Sequence, residues 1–246
     1  LVREPPIDHD GALDNGVVAH EWAHLMTNRL VGDGSGLYLS QAWAMGEGWS
    51  DFVALLLQLR QGDETRAANA NWSGAYAMGG YARQGLIPDV WYYSSRRLPY
   101  SADPAKNALT FRHISAGEPL PANVPTRFGQ DGSDNVRPHT AGEVWASMLW
   151  ECLVALLRDT PRLSFDEALL RMRRYLVASL KATVPAPSFL EARDALLAVA
   201  YASDPKDHLL FAQAFARRGA GLRAVAPPKT AADHRPLVED FTTGGD

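Results

Sequence analysis

The sequence contains a single cysteine, Cys152, among its 246 residues. One thiol excludes an intramolecular disulfide framework and any metal site built from several cysteines. Cys152 lies in an apolar stretch next to Trp150 and Leu153. We therefore predict a buried and unreactive thiol.

The chain also lacks a long hydrophobic run and a large excess of charge of either sign. No stretch approaches the roughly eighteen consecutive apolar residues of a membrane span. The 24 basic and 28 acidic residues give a net charge of −4, and the basic ones are scattered. This composition argues against a membrane or a nucleic acid as the main partner. With 46% hydrophobic and 21% charged residues, the chain is typical of a globular protein, and general disorder is excluded.

The first ten residues, LVREPPIDHD, contain neither an initiator methionine nor the charged and apolar regions of a signal peptide. This opening predicts that the sequence is a piece of a longer protein.

Hydrophobic periodicity predicts a mainly α-helical chain with one long irregular segment. Residues 63–135 are rich in glycine, proline, asparagine and aromatics, and short helices are expected only near 72–84. We predict one domain over 1–225, followed by a linker or surface strap over 226–246. The predicted helices cover 14–30, 45–61, 141–157, 165–182, 189–202 and a stretch from Asp204 to about Gly219. The predicted N-terminal capping residues are Asp14 or Asn15, Ser164, Ser188 and Asp204.

The first predicted helix carries the motif HEWAH, with His20, Glu21 and His24. Positions i and i+4 of a helix lie on one face, so both imidazoles can reach one metal ion. Glu21 lies next to the first histidine, where its carboxylate can reach a water bound to that metal. The alternative is a pair of surface histidines without a metal.

A third ligand is expected on the next helix. Glu47 follows His24 by 23 residues, and the glycine-rich turn between them lets the two helices pack antiparallel. Asp51 lies one turn after Glu47, where it can accept a hydrogen bond from the non-ligating nitrogen of His20. Apolar neighbours indicate a buried helix, in which an unpaired carboxylate would be costly. Three protein ligands and an open position are typical of catalytic zinc.

These residues resemble the fungalysin family of secreted zinc metallopeptidases, which belongs to the thermolysin-like group. The resemblance rests on LDNGVVAHEWAHLMTNRLVG and AMGEGWSDF within about 11–55. It is extended by RRLPYS at 96–101, NALT at 107–110 and HTAGEVW at 139–145. It implies a helical C-terminal half of a thermolysin-like metallopeptidase. A β-rich N-terminal half and a propeptide would then lie upstream of the sequence.

The resemblance also implies roles for individual residues. His20, His24 and Glu47 would bind zinc, and Glu21 would act as the general base. His139 would donate a hydrogen bond to the oxyanion of the tetrahedral intermediate. Asp134, five residues earlier, would orient His139, although it could equally be a turn residue.

Two further candidates each have a structural alternative. Tyr38 stands nine residues before Glu47, a spacing similar to that of the oxyanion tyrosine of thermolysin, but fungalysins do not usually have a tyrosine there. Packing of its ring against the loop is an equal alternative. Arg97 could bind a substrate carbonyl, and the alternative is a solvated loop arginine.

Other consequences of the resemblance are a peptide or protein substrate, cleavage within the chain and secretion. Calcium is a second possible metal, with oxygens available on Asp8, Asp10, Asp131 and Asp134. Without its upstream half, the fragment is expected to bind zinc weakly or to misfold. The alternatives are a catalytically incomplete fragment or binding module that keeps the zinc fold, and an aminopeptidase of the same zinc group.

Overall fold

The structure is a computed structural model, and it describes residues 9–243. The prediction of a mainly α-helical fold is confirmed. Within the described residues there is no β-sheet, and extended segments meet only in isolated bridges such as that between Tyr76 and Tyr100.

Residues 9–243 contain seven α-helices, and most of them begin at residues with a local capping signal. The Asp14 side chain caps the first helix, and Ser164 and Ser188 each form a capping box with a glutamate three residues later. The helices are α1 Asn15–Leu30, α2 Ser40–Gln58, α3 Val90–Tyr93, α4 Pro138–Arg158, α5 Phe165–Ala182, α6 Phe189–Ser203 and α7 Pro205–Arg217.

Helix α4 is the central core element, and it packs against α2. Two glycines allow close approach: an added Cβ on Gly48 would lie 2.5 Å from the peptide oxygen of Gly142. Within the described residues, α4 alone is long and apolar enough to cross a membrane. Its apolar stretch is 94% buried in the protein, as in the core helix of a globular domain. Cys152 on α4 is fully buried as predicted, and burial raises the pKa of its thiol well above the usual range.

The long segment between α2 and α4 is irregular, as predicted, but the short helices expected near 72–84 are wrong. Residues 73–89 form turns and extended stretches. Gly79 and Gly85 have φ angles of +71° and +80°, which an α-helix does not accommodate. The short helices of this segment lie elsewhere, at Asp63–Thr65, Ala67–Trp72, Val90–Tyr93 and Phe111–Ile114.

Residues 226–243 contain segments that contact the helices. The buried His234 is 3.0 Å from the Ile114 carbonyl oxygen through Nδ1 and 3.0 Å from the Ser40 hydroxyl through Nε2. The Gln41 side chain donates to the Pro227 carbonyl oxygen. These contacts hold the first turn of α2 in place. The domain boundary at 225/226 stays a prediction.

Another buried histidine makes the stability of the fold dependent on pH. Burial and the nearby charge of Arg112 lower the pKa of His113 to about 4. Between pH 6.5 and 4 the unfolded chain binds this proton and the folded chain does not. Stability is therefore fully present above pH 6.5 and falls by up to about 3 kcal/mol as pH drops to 4.

The variant His113→Asn tests this expectation, since its side-chain oxygen can still accept the hydrogen bond that Nδ1 accepts from the Thr110 amide. Urea unfolding at pH 7 and pH 4.5 should show a smaller loss of stability in the variant than in the wild type. An equal loss in both proteins would assign the pH dependence to other groups.

Candidate active site

Two helices bring three metal-ligand atoms together. His20 and His24 lie one turn apart on α1, and Glu47 faces them from α2. The Nε2 atoms of the two histidines are 3.1 Å apart. They lie 3.3 and 3.5 Å from Oε2 of Glu47.

This arrangement fits a zinc ion. Ligand atoms about 2.0–2.1 Å from zinc at tetrahedral angles lie roughly 3.3 Å from one another. Oε2 of Glu47 is buried, and no donor in the described residues is aligned to hydrogen-bond with it. A buried carboxylate oxygen without a donor is costly unless a cation neutralises it.

The described part of the chain holds no other group of three such side chains close enough for a metal. Asp10, Asp131 and Asp134 instead contact the backbone of Ala12, the amide and hydroxyl of Ser133, and the guanidinium of Arg137. Asp8 lies outside the described residues. Nothing in the structure therefore supports the expected calcium site.

The pKa values of two residues in the cluster, His20 and Glu47, are strongly shifted. Burial alone would lower the pKa of His20, but the Asp51 and Glu47 carboxylates beside its ring outweigh this effect and raise the pKa to about 9. Burial alone would raise the pKa of Glu47, but its contacts with His20 and His24 outweigh this effect and hold the pKa well below the usual range. Because a histidine must be neutral to bind zinc, metal binding must release the His20 proton.

Asp51 links the cluster to a buried polar network. Its Oδ1 lies 2.7 Å from Nδ1 of His20. Arg96 donates two hydrogen bonds to the same carboxylate, from Nε at 2.6 Å and Nη2 at 2.7 Å, and the Tyr100 hydroxyl donates a third. Neither Arg96 nor Tyr100 has a role predicted from the sequence, and their place in the RRLPYS motif is the one sequence signal that points to them.

His139 lies at the second position of α4, on the edge of the cluster. Its Nε2 is 3.3 Å from Oε2 of Glu47, and its side chain is 61% exposed. It is not one of the three mutually close ligands. The Asp134 carboxylate pairs with Arg137 at 2.9 Å, so the structure gives no support to the prediction that Asp134 orients His139.

Glu21 and Tyr38 are both open to solvent. Glu21 is exposed on α1 beside the buried His20. Tyr38 precedes α2 and is 69% exposed, so its ring is not packed against the loop. Both positions are accessible to a substrate, and the roles of these side chains stay predictions.

The prediction that Arg97 binds substrate is wrong, and so is its alternative of a solvated arginine. The side chain is fully buried and ion-paired with Glu143, with 2.8 Å between Nε and Oε2. Its other guanidinium nitrogens donate to the Asn135 side chain and the Thr140 carbonyl oxygen, at 2.5 Å each. With these partners the guanidinium has no free face for a ligand.

An HExxH helix that packs against a glutamate-bearing helix defines a metallopeptidase class of site. The sequence agrees: residues 3–224 match the fungalysin metallopeptidase (M36) family. The chain therefore belongs to that family, as its motifs predict.

Relatives are fungal proteins of greater length. The chain is 31% identical to extracellular metalloproteinase mep of Aspergillus fumigatus over 231 residues, which cover 87% of this chain and 31% of the relative. It is 31% identical to mep of Aspergillus terreus over 237 residues, covering 89% of this chain and 32% of the relative. Extracellular metalloproteinase 9 of Uncinocarpus reesii is 31% identical over 205 residues, covering 77% of this chain and 27% of the relative. The matches thus span under a third of each relative's length.

Proposed function

We propose that the protein is a zinc-dependent endopeptidase. The observation that carries the proposal is the convergence of His20, His24 and Glu47 beside the exposed Glu21. His20, His24 and Glu47 would hold the zinc ion, which when bound would supply a Lewis acid that polarises the scissile carbonyl and lowers the pKa of the attacking water. Glu21 takes the proton from that water and passes it to the leaving amine.

We propose two further side chains as donors to the developing negative charge. His139 donates a hydrogen bond to the oxyanion, because it lies on the edge of the cluster without being one of the three ligands. Tyr38 is placed on the exposed approach to α2 and could supply a second donor. Oδ1 of Asp51 lies 2.7 Å from Nδ1 of His20, and in our proposal this contact keeps Nε2 of His20 directed at the zinc.

The substrate is a protein or peptide, and the site of action is extracellular. Both follow from the relatives, which are named extracellular metalloproteinases. We also propose a β-rich segment or a propeptide of the parent protein as a partner. Support comes from the outer face of α1, where Val18, Trp22 and Leu25 are about half exposed, at 49%, 57% and 54%. Such a surface is typical of one that another segment covers.

No observation favours the alternatives. A silent binding module would be expected to have lost Glu21 or a ligand, and all four residues are present. Nothing in the described residues points to an aminopeptidase.

Metal removal tests the proposal. Dialysis of the purified parent protein, which includes the proposed upstream half, against a chelator should abolish cleavage of casein, and one equivalent of zinc should restore it. The variant His24→Ala should lose both zinc and cleavage, because two remaining ligands hold zinc poorly. Cleavage that persists in zinc-free protein would contradict the proposal.

The type of cleavage needs a separate substrate. A peptide blocked at both ends should be cut at an internal bond, which mass spectrometry of the products detects. Cleavage of unblocked peptides alone, one residue at a time, would indicate an exopeptidase instead.

A further inference from the structure

Two neighbouring arginines connect the metal cluster to the helix that carries His139. We propose that Arg96 and Arg97 are positioning residues, Arg96 for the metal ligand His20 and Arg97 for His139. In this proposal the Arg96–Arg97 dipeptide sets the distance between the metal ligand His20 and the side chain of His139. The inference rests on the proposed peptidase function.

Arg96 acts on the metal side. Its guanidinium makes a two-pronged contact with the Asp51 carboxylate, with distances of 2.6 and 2.7 Å. Asp51 in turn lies 2.7 Å from Nδ1 of His20. With one carboxylate face taken by Arg96 and by the Tyr100 hydroxyl, Asp51 has one orientation available, and that orientation fixes the imidazole ring.

Arg97 acts on α4. Its backbone amide and its Nε donate to the two carboxylate oxygens of Glu143, at 2.9 and 2.8 Å. Its two terminal nitrogens donate to the Thr140 carbonyl oxygen, next to His139, and to Asn135 just before the helix. These bonds hold the first turn of α4 on both sides of His139.

The two arginines fix the position of α2 relative to α4, because they are adjacent in the chain and cannot move independently of each other. Consecutive Cα atoms are about 3.8 Å apart, and each guanidinium is a rigid planar fork. Both side chains are buried, Arg96 at 6% exposure and Arg97 at 0%. Asp51 on α2 and Glu143 on α4 are thereby tied to adjacent residues of one loop. A lysine keeps the charge at either position and loses the fork, which makes Arg→Lys the appropriate change.

The two lysine variants are each other's control. We expect Arg96→Lys to raise the rate of zinc dissociation to a chelator by about 10- to 100-fold. It should also shift the imidazole NMR signals of His20 and leave those of His139 in place. Arg97→Lys should leave zinc dissociation unchanged and shift the signals of His139. It should lower kcat for a peptide by about 10- to 100-fold, with little change in KM.

Milder variants decide the question if a lysine variant fails to fold. Tyr100→Phe removes one hydroxyl from Asp51 and should speed zinc dissociation, whereas Glu143→Gln weakens the hold on α4 and should shift His139. A variant pair that changes both readouts together, or neither, would overturn the proposal and leave a general structural role. Zinc dissociation and NMR need no catalysis, so a protein that binds zinc without cleaving peptides would contradict only the proposed function.

Discussion

Replacing Glu21 by glutamine should abolish peptide cleavage while leaving the zinc content equal to that of the wild type. Glutamine matches the size of glutamate, but it cannot accept the proton of the attacking water. Glu21 is exposed and contributes no ligand to the cluster, so the fold and the metal should be unaffected. Loss of a general base lowers kcat by about 10²- to 10⁴-fold. Zinc per chain and kcat/KM, measured on the same preparation, check this.

A matched control is Glu118→Gln, which makes the same chemical change at a partly exposed glutamate that contacts Arg112 and Arg235 and not the cluster. It should keep full activity. If Glu21→Gln cleaves peptides at more than about a tenth of the wild-type rate, another group is the base.

Replacing Gly142 by alanine should strongly destabilise the protein and reduce its activity. The added methyl group would lie 2.6 Å from the Ala44 carbonyl oxygen and 2.9 Å from Cβ of Glu47. These atoms belong to the helix interior and cannot turn aside, so α2 and α4 must separate. Overpacking of this kind costs about 3 kcal/mol or more. The same displacement would move Glu47 relative to His139. Urea unfolding and zinc titration measure the two consequences.

Gly46→Ala provides the comparison. Gly46 also lies in α2, one residue before Glu47, but an added methyl group there meets only the end of the Leu37 side chain, at 3.5 Å. Because alanine favours the helix, this variant should be as stable as the wild type or up to about 1 kcal/mol more stable. Similar destabilisation by both substitutions would show that the α2–α4 contact is not the cause.

Elements marked by local signals could be predicted from the sequence closely, and the others could not. The predicted helix over 165–182 matches α5, whose capping box lies within four consecutive residues. Helix α2 starts at Ser40, five residues before the prediction. Its N-cap, Leu39, makes no side-chain capping bond. The first turn of α2 instead contacts His234 and the Pro227 carbonyl oxygen, which are nearly two hundred residues away in the sequence. A local sequence pattern cannot indicate such long-range contacts.

The same division holds for the candidate site. Helical spacing is enough to bring His20 and His24 together, and the buried helix that follows explains Glu47. Arg97 could not be placed, because its environment is made by Asn135, Thr140 and Glu143 on a distant stretch of chain. Because Arg97 lies in an irregular segment, no periodic pattern in the sequence indicates that its side chain is fully buried.

The α1–α2 hairpin has a consequence for the order in which the site is assembled. All three ligands and Asp51 lie between residues 20 and 51, so their contacts close only short loops and have low contact order. The contacts of Arg96 with Asp51 and of Arg97 with Glu143 span 45 and 46 residues. Loop-closure entropy favours the hairpin contacts over the arginine contacts by about 0.3–0.6 kcal/mol. We therefore expect the three candidate ligands to come together slightly more readily than the arginine contacts that hold them in place.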